Sequence, residues 1–344
     1  MPKNDRLLKA CRREPVDRPP VWLMRQAGRY MKEYRDVRAN TQFLDLCKNP
    51  LLAAEVTLQP YRRFGMDAVI IFSDILIPVE AMGMHLELSE RGPVLHEPVR
   101  DAARLSRLSV PDPWENTPFV MAVIKEVKRL VKDEVPVIGF AGAPWTLASY
   151  MVEGGTSKNF IELKRLLFTA PELLHELLEK LTLTIIKYLA AQLAAGADLV
   201  QLFDTWAGEL SRDDYRTFAL PYLQKIINHI HSISDRPIIL YTNGCAAILE
   251  DMLETGADCV SIDWRIDMTE AQRRVAGRAA IQGNIDPCAL LAPKDQLQRL
   301  VHQTIRKFGD VPGLIVNLGH GILPPTPLEG VEAFVEAVKN YRAG

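Results

Sequence analysis

The chain is predicted to fold as a single-domain (β/α)8 TIM barrel, and three observations carry that prediction. Eight short apolar runs alternate with amphipathic helical stretches along its 344 residues. The strand–loop–helix order is the one that builds parallel sheets. The length suits a barrel, because α/β barrels grow large as single units where other cores split. No linker, repeat array or low-complexity tract divides the chain, so residues 1–344 are read as one domain. Its active site is expected at the C-terminal ends of the strands.

The strand runs are 20–24, 68–72, 136–140, 199–203, 238–241, 259–262, 279–282 and 314–318. Each is short, rich in β-branched or aromatic side chains, and bounded by polar residues, Gly or Pro. Residues 171–195 and 214–232 read as amphipathic helices. Two strands follow the same phrase, Ala-Gly-Ala-Asp at 195–198 and Thr-Gly-Ala-Asp at 255–258, in which Gly closes a helix. Between the second and third strands, residues 77–117 form an excursion with a hairpin around 86–96. A doubly wound open sheet is the alternative; no Gly-x-Gly-x-x-Gly follows a predicted strand and no P-loop appears.

With 48 % hydrophobic and 24 % charged residues, the composition is globular and excludes a disordered or fibrous chain. The best candidate for a membrane span, 181–199, is interrupted by Lys187, Gln192 and Asp198. The opening Met-Pro-Lys-Asn-Asp-Arg lacks the apolar core of a secretory signal. Five cysteines without a Cys-x-x-Cys spacing argue against a disulfide framework or a zinc knuckle. A reduced, cytoplasmic enzyme is expected. The net charge of −2 hides an asymmetry, since residues 1–38 carry eight Arg and three Lys against five acids, leaving −8 on the remainder. That pattern fits nucleic acid poorly and fits a local anion site, for which the guanidinium fork is the suitable group.

The loops after the strands name the candidates. Arg25 and Arg29, spaced i,i+4 around Gly28, are expected on one helix face as an anion clamp; the plain alternative is surface pairing with Glu33. Asp74 precedes Pro78, which disfavours helical angles at Ile77, so no regular helix should run on from it. Its carboxylate is then a functional candidate rather than a cap. His320 lies between Gly319 and Gly321 in a loop, ahead of a helix predicted to start with a capping box of Thr326, Pro327 and Glu329. Tyr150 falls near the end of a short helix begun by Pro144 and stopped by Gly154 and Gly155, where packing and binding are equally open readings.

Two long segments then stand out, Pro19-Pro-Val-Trp-Leu-Met-Arg-Gln-Ala-Gly-Arg-Tyr-Met-Lys-Glu-Tyr-Arg35 and Gly139-Phe-Ala-Gly-Ala-Pro-Trp-Thr-Leu-Ala-Ser-Tyr-Met-Val-Glu-Gly-Gly155. They resemble the two signature segments of the uroporphyrinogen decarboxylase family. Phe72-Ser-Asp-Ile-Leu76, Gln201-Leu-Phe-Asp-Thr-Trp-Ala-Gly208 and Asn317-Leu-Gly-His-Gly321 are similar to further motifs of that family, in the same order. The resemblance implies a carboxy-lyase, usually a homodimer, that uses no metal or organic cofactor. Its substrate would be the tetrapyrrole uroporphyrinogen III, decarboxylated on four acetate arms to coproporphyrinogen III.

By the same resemblance Asp74 is the anion facing the pyrrole N–H groups, and Arg25 and Arg29 hold carboxylates. Arg25 is also implicated as a proton donor, a role its very high pKa makes awkward, so electrostatic positioning is favoured. Arg38 adds to the clamp, Tyr150 and His320 contact substrate, and the backbone from Gln26 through Ala27 to Gly28 lines the pocket. Thr205 stands where Ser is common; its hydroxyl keeps the hydrogen-bonding capacity while its methyl stiffens the side chain. Two rivals remain. One is a zinc-dependent corrinoid methyltransferase of the same superfamily built on Cys245, although Asn243 stands where a His ligand would be required and three ligands cannot be assembled. The other is a non-catalytic tetrapyrrole-binding protein, for which Asp74 is an unhelpful extra charge.

Overall fold

The computed structural model of the chain describes residues 2–89 and 92–342. Its strands are β1 (Val69–Ile70), β2 (Leu86–Ser89), β3 (Gly92–Leu95), β4 (Val137–Gly142), β5 (Leu199–Phe203), β6 (Ile238–Tyr241), β7 (Cys259–Ser261), β8 (Ala280–Ile285) and β9 (Leu314–Leu318). Seven form one sheet in the order β1-β4-β5-β6-β7-β8-β9, and β2 and β3 form the separate antiparallel hairpin expected in the excursion. Every neighbouring pair of the large sheet is parallel.

The sheet curls, and the gap between β9 and β1 is filled by residues 20–24. The predicted first strand is thereby corrected to a single parallel bridge, Val21 to Val316. The reason lies in where its backbone groups go. Pro20 has no N–H. The Val21 N–H is taken by the Asp67 carboxylate at 2.8 Å and the Met24 N–H by Asn317 Oδ1 at 3.1 Å, leaving little for a ladder. Asp67 also receives both terminal nitrogens of Arg18, at 2.7 and 2.8 Å, so a buried carboxylate holds the first stave in place.

Alternation along the strands separates two cores. Outward residues such as Val200, Leu202, Leu240, Val260 and Val316 pack under the helices. Inward ones such as Trp22, Ile138, Leu199, Ile239, Cys259 and Ile315 fill the barrel, closed below by Leu7 and Leu8 of the helix Arg6–Cys11. Above them lies a polar layer, in which Gln282 accepts from Trp22 Nε1 (2.8 Å) and donates to Gln201 (3.1 Å) and Ser261 (2.9 Å).

The helix Pro171–Ala195 forms as predicted and stops at Gly196, whose φ is 117°. The expected helix over 214–232 is two helices, Arg212–Phe218 and Leu220–Ile233, because Pro221 cannot continue the hydrogen-bond ladder. A five-residue helix, Ile77–Ala81, does follow Asp74, with Pro78 tolerated in its first turn where no N–H is needed. The capping box is not formed: the last helix is Leu328–Lys339, Pro327 precedes it, and the buried Thr326 hydroxyl has no partner among the described residues.

Candidate active site

The C-terminal ends of the strands open into a cavity of about 350 Å³. Among the predicted residues, Arg25, Gln26, Ala27, Gly28, Arg29, Asp74, Thr205 and His320 line it. Its walls are aromatic. Phe140 meets Phe203 edge-on with centroids 5.6 Å apart, Phe203 meets Tyr241 at 5.8 Å, and Tyr241 meets His320 at 6.1 Å. On the other side Phe72 packs against Phe43 at 5.4 Å and Tyr34 at 5.8 Å. Phe203 and Tyr241 are the last residues of β5 and β6, the signal that marks them. The motif-based reading passed over them, along with Phe140, Phe43 and Tyr34.

Arg25 and Arg29 are not on a helix. Arg25 sits in a turn at φ 58°, a left-handed conformation that non-glycine residues seldom take. Gln26 helps hold the turn: its buried side chain points away from solvent, accepting from the Leu23 N–H (3.3 Å) and donating to Ala68 O (3.3 Å), so it offers the cavity backbone. Neither Arg25 nor Arg29 forms an ion pair among the described residues, and Glu33 pairs with Arg63 instead. Both guanidiniums are exposed at the mouth. Three other arginines of the basic N-terminal stretch are structural: Arg6 pairs with Asp17, Arg18 with Asp67, and Arg35 donates to the carbonyls of Arg29 and Tyr30.

Asp74 accepts the Leu76 N–H at 2.8 Å. Burial pushes its carboxyl above the ordinary range, opposed by that N–H and by the Arg25 guanidinium. A cation placed in the cavity would reverse this balance, since an adjacent positive charge favours the ionised form. His320 receives the Gly321 N–H on Nδ1 at 2.6 Å, so in the neutral ring the proton lies on Nε2. Burial, then Arg25 and Arg265, hold the ring down to about 4, which leaves it neutral at physiological pH.

Tyr150 is on the helix Pro144–Glu153, as expected, with its ring against Trp206 at 6.3 Å. It stands behind the lining rather than in it, although Asp74 and Arg25 both act on its hydroxyl, which burial pushes up. Arg38 is in a neighbouring cleft with Thr41, Asp45 and Leu88. There it donates to Thr41 O and lies 5.8 Å over the Phe43 ring, so one aromatic separates it from the main cavity. Cys245 is buried, its Sγ 3.7 Å from Asp263 Oδ1; burial and that carboxylate push its thiol up to about 12. Asn243 beside it accepts from Arg265. This is a poor setting for the thiolate a catalytic zinc needs.

Barrel and mouth together define an α/β-barrel enzyme whose site joins an aromatic wall to two unpaired arginines and one recessed carboxylate. The family model for uroporphyrinogen decarboxylase matches residues 2–341. The chain is 52 % identical over 338 residues to uroporphyrinogen decarboxylase of Myxococcus xanthus (strain DK1622), covering 98 % of this chain and 97 % of that one. It is 47 % identical to that of Alkalilimnicola ehrlichii (strain ATCC BAA-1101 / DSM 17681 / MLHE-1), over 98 % of this chain and 93 % of that one. The chain belongs to the uroporphyrinogen decarboxylase family. Among solved structures, a methyltransferase from Methanosarcina mazei superposes with a TM-score of 0.83 at 25 % identity, covering 98 % of both chains. A B12-independent methionine synthase from Shewanella sp. W3-18-1 shares the fold at a TM-score of 0.55 and 11 % identity, over 83 % of this chain and 84 % of that one.

Proposed function

We propose that this chain removes CO2 from the four acetate side chains of uroporphyrinogen III, giving coproporphyrinogen III, with no metal or organic cofactor. The observation that carries the reading is the recessed Asp74 beneath an aromatic wall, with the unpaired Arg25 and Arg29 at the rim. A flexible macrocycle bearing eight carboxylates presents an apolar body with inward pyrrole N–H groups and an anionic periphery. The wall suits the body, Asp74 suits the N–H groups, and the arginines suit the periphery.

Cleavage of the carboxylate leaves an electron pair on a methylene carbon. If the adjacent pyrrole carbon first takes a proton, that pair flows into the cationic ring, and CO2 departs. The methylene carbon then takes a proton as the ring carbon gives one up, so each arm consumes one proton net and becomes a methyl group. The cationic ring exists only along the reaction path, so a fixed anion beneath it lowers the barrier more than it stabilises bound substrate. Asp74 supplies that anion. Arg25 and Arg29 orient carboxylates, Arg25 acting electrostatically, and His320 donates from Nε2. Thr205 offers a hydroxyl, Tyr150 backs the lining, and Arg38 serves an outlying carboxylate past Phe43. The enzyme is expected to work in the cytoplasm as a homodimer.

The test is anaerobic conversion of uroporphyrinogen III by chelator-treated protein, comparing wild type with Asp74→Asn. Stepwise loss of four carboxyls by wild type, with kcat down about 10²–10³-fold in the variant and KM changed far less, is the expected result. Tight binding without turnover by the wild type would replace the decarboxylase with a carrier. Activity that appears only on adding zinc would replace it with a metal enzyme.

A further inference from the structure

On the hairpin of β2 and β3, three side chains outside the mouth are arranged like a metal-ligand set. His85 immediately precedes β2 and His96 immediately follows β3, so they face each other at the base of the hairpin, where the His96 N–H bonds to His85 O at 3.0 Å. Their rings stack with centroids 4.6 Å apart and planes 22° from parallel. Glu87, two residues on and so on the same face, turns its Oε1 to both rings, 3.0 Å from His96 Nε2 and 3.8 Å from His85 Nε2. Ligand atoms from all three residues lie within 4.8 Å of one another, and all three residues are exposed.

We infer that His85, Glu87 and His96 form a binding site for a divalent late transition-metal ion of the zinc class. Ligand atoms of a tetrahedral zinc site, about 2.0–2.1 Å from the ion, are about 3.3 Å from one another. The 3.0 and 3.8 Å separations bracket that spacing, and closure onto an ion requires the two exposed rings to turn out of their stack until both Nε2 lone pairs converge on it. Two imidazoles and one carboxylate are a donor set that zinc takes with a fourth position left for water, whereas magnesium and calcium prefer all-oxygen sites. The ladder already fixes the spacing of the two imidazoles, so little order is lost on binding. The bound ion would tie the two strands together at their base. There the Leu95 N–H reaches Gly154 O at 2.9 Å, at the end of the helix that carries Tyr150.

Calorimetric titration of the chelator-treated full chain with zinc chloride tests the site. Wild type is expected to take up one equivalent that His85→Ala and His96→Ala each lose. Glu87→Gln, which keeps both imidazoles, should weaken that equivalent by about tenfold or more. His231→Asn, which alters a two-residue pair elsewhere in the chain, should leave it unchanged. Equal urea midpoints for all variants in chelator establish that the hairpin variants are folded. The inference is overturned if wild type takes up no zinc, or if His85→Ala and His96→Ala bind it with the wild-type stoichiometry and affinity.

Discussion

Asp204 is fully buried one residue past the end of β5, and its ionisation should leave a measurable imprint on stability. The Thr146 hydroxyl accepts the Trp206 N–H at 3.1 Å and spends its proton on Asp204 Oδ1 at 2.9 Å. Among the described residues Asp204 Oδ2 has no partner, nor do the buried hydroxyls of Tyr215 and Thr242. Burial therefore pushes this carboxyl up from 3.8 to about 7, against the pull of Thr146. The folded state holds the proton more tightly than the unfolded chain, so this group's contribution falls as pH rises from 3.8 to about 7 and is level above that. Each pH unit in that window costs about 1.4 kcal/mol, up to about 4 kcal/mol in all.

Asp204→Asn keeps the shape and the acceptor for Thr146 but removes the titration. Its stability relative to wild type should rise by about 2 kcal/mol between pH 5 and pH 7. Urea midpoints measured on both proteins at several pH values provide the comparison. Groups common to both cancel in the difference, His320 included, whose depressed pKa lowers stability as pH falls from 6.5 to about 4. Parallel curves for the two proteins would refute the reasoning, because they would mean Asp204 titrates alike in folded and unfolded chains.

Further outcomes follow from the same contacts. Asp67→Ala strands the largely buried Arg18 and frees the Val21 N–H, and should cost about 3–5 kcal/mol in urea or thermal unfolding. In Gly321→Ala, the new Cβ would lie 2.4 Å from Arg25 Cδ and 2.6 Å from its Cγ. The guanidinium must move, so KM should rise several-fold while the melting temperature stays near that of wild type. Arg25→Lys retains charge but loses the planar fork, and should likewise raise KM more than it lowers kcat. The pH dependence of kcat/KM should show no inflection from His320 between pH 5.5 and 8, because its ring is already neutral there; His320→Gln, which keeps a donor, should leave the profile's shape unchanged.

Most of the barrel was legible because buried parallel strands are short continuous apolar runs. Residues 199–203, 238–241 and 314–318 are the strands predicted. β8 runs further than its apolar run, through Gly283, Asn284 and Ile285, which pair with Val316, Asn317 and Leu318. Glycine and asparagine read as loop, yet here the partner strand supplies the bonds. The stave at 20–24 was over-read for the converse reason: its composition is that of a strand, but distant side chains, Asp67 and Asn317, take its N–H groups. At the site, the loop residues were found from position and motif. The left-handed turn at Arg25 was not, since i,i+4 spacing carries no information about φ. The retreat of Tyr150 behind the lining and the separation of Arg38 by Phe43 depend on packing that spacing does not encode.

The irregular first stave has a consequence for how such a barrel changes over evolutionary time. A strand locked in a ladder cannot be re-aimed without shifting its neighbours' register. The segment carrying Arg25 and Arg29 is held instead by one bridge and a few separate bonds, its carbonyls taking the Val316, Asp67 and Ile322 N–H groups and its turn fixed by the side chains of Asp67, Asn317 and Gln26. Substitutions at such anchors, or in the turn itself, can re-point the guanidiniums while the seven-stranded ladder keeps its pairing. Recognition and scaffold are thus separable under mutation. One architecture can then serve both decarboxylases and the methyltransferase that matches it over 98 % of its length at 25 % identity.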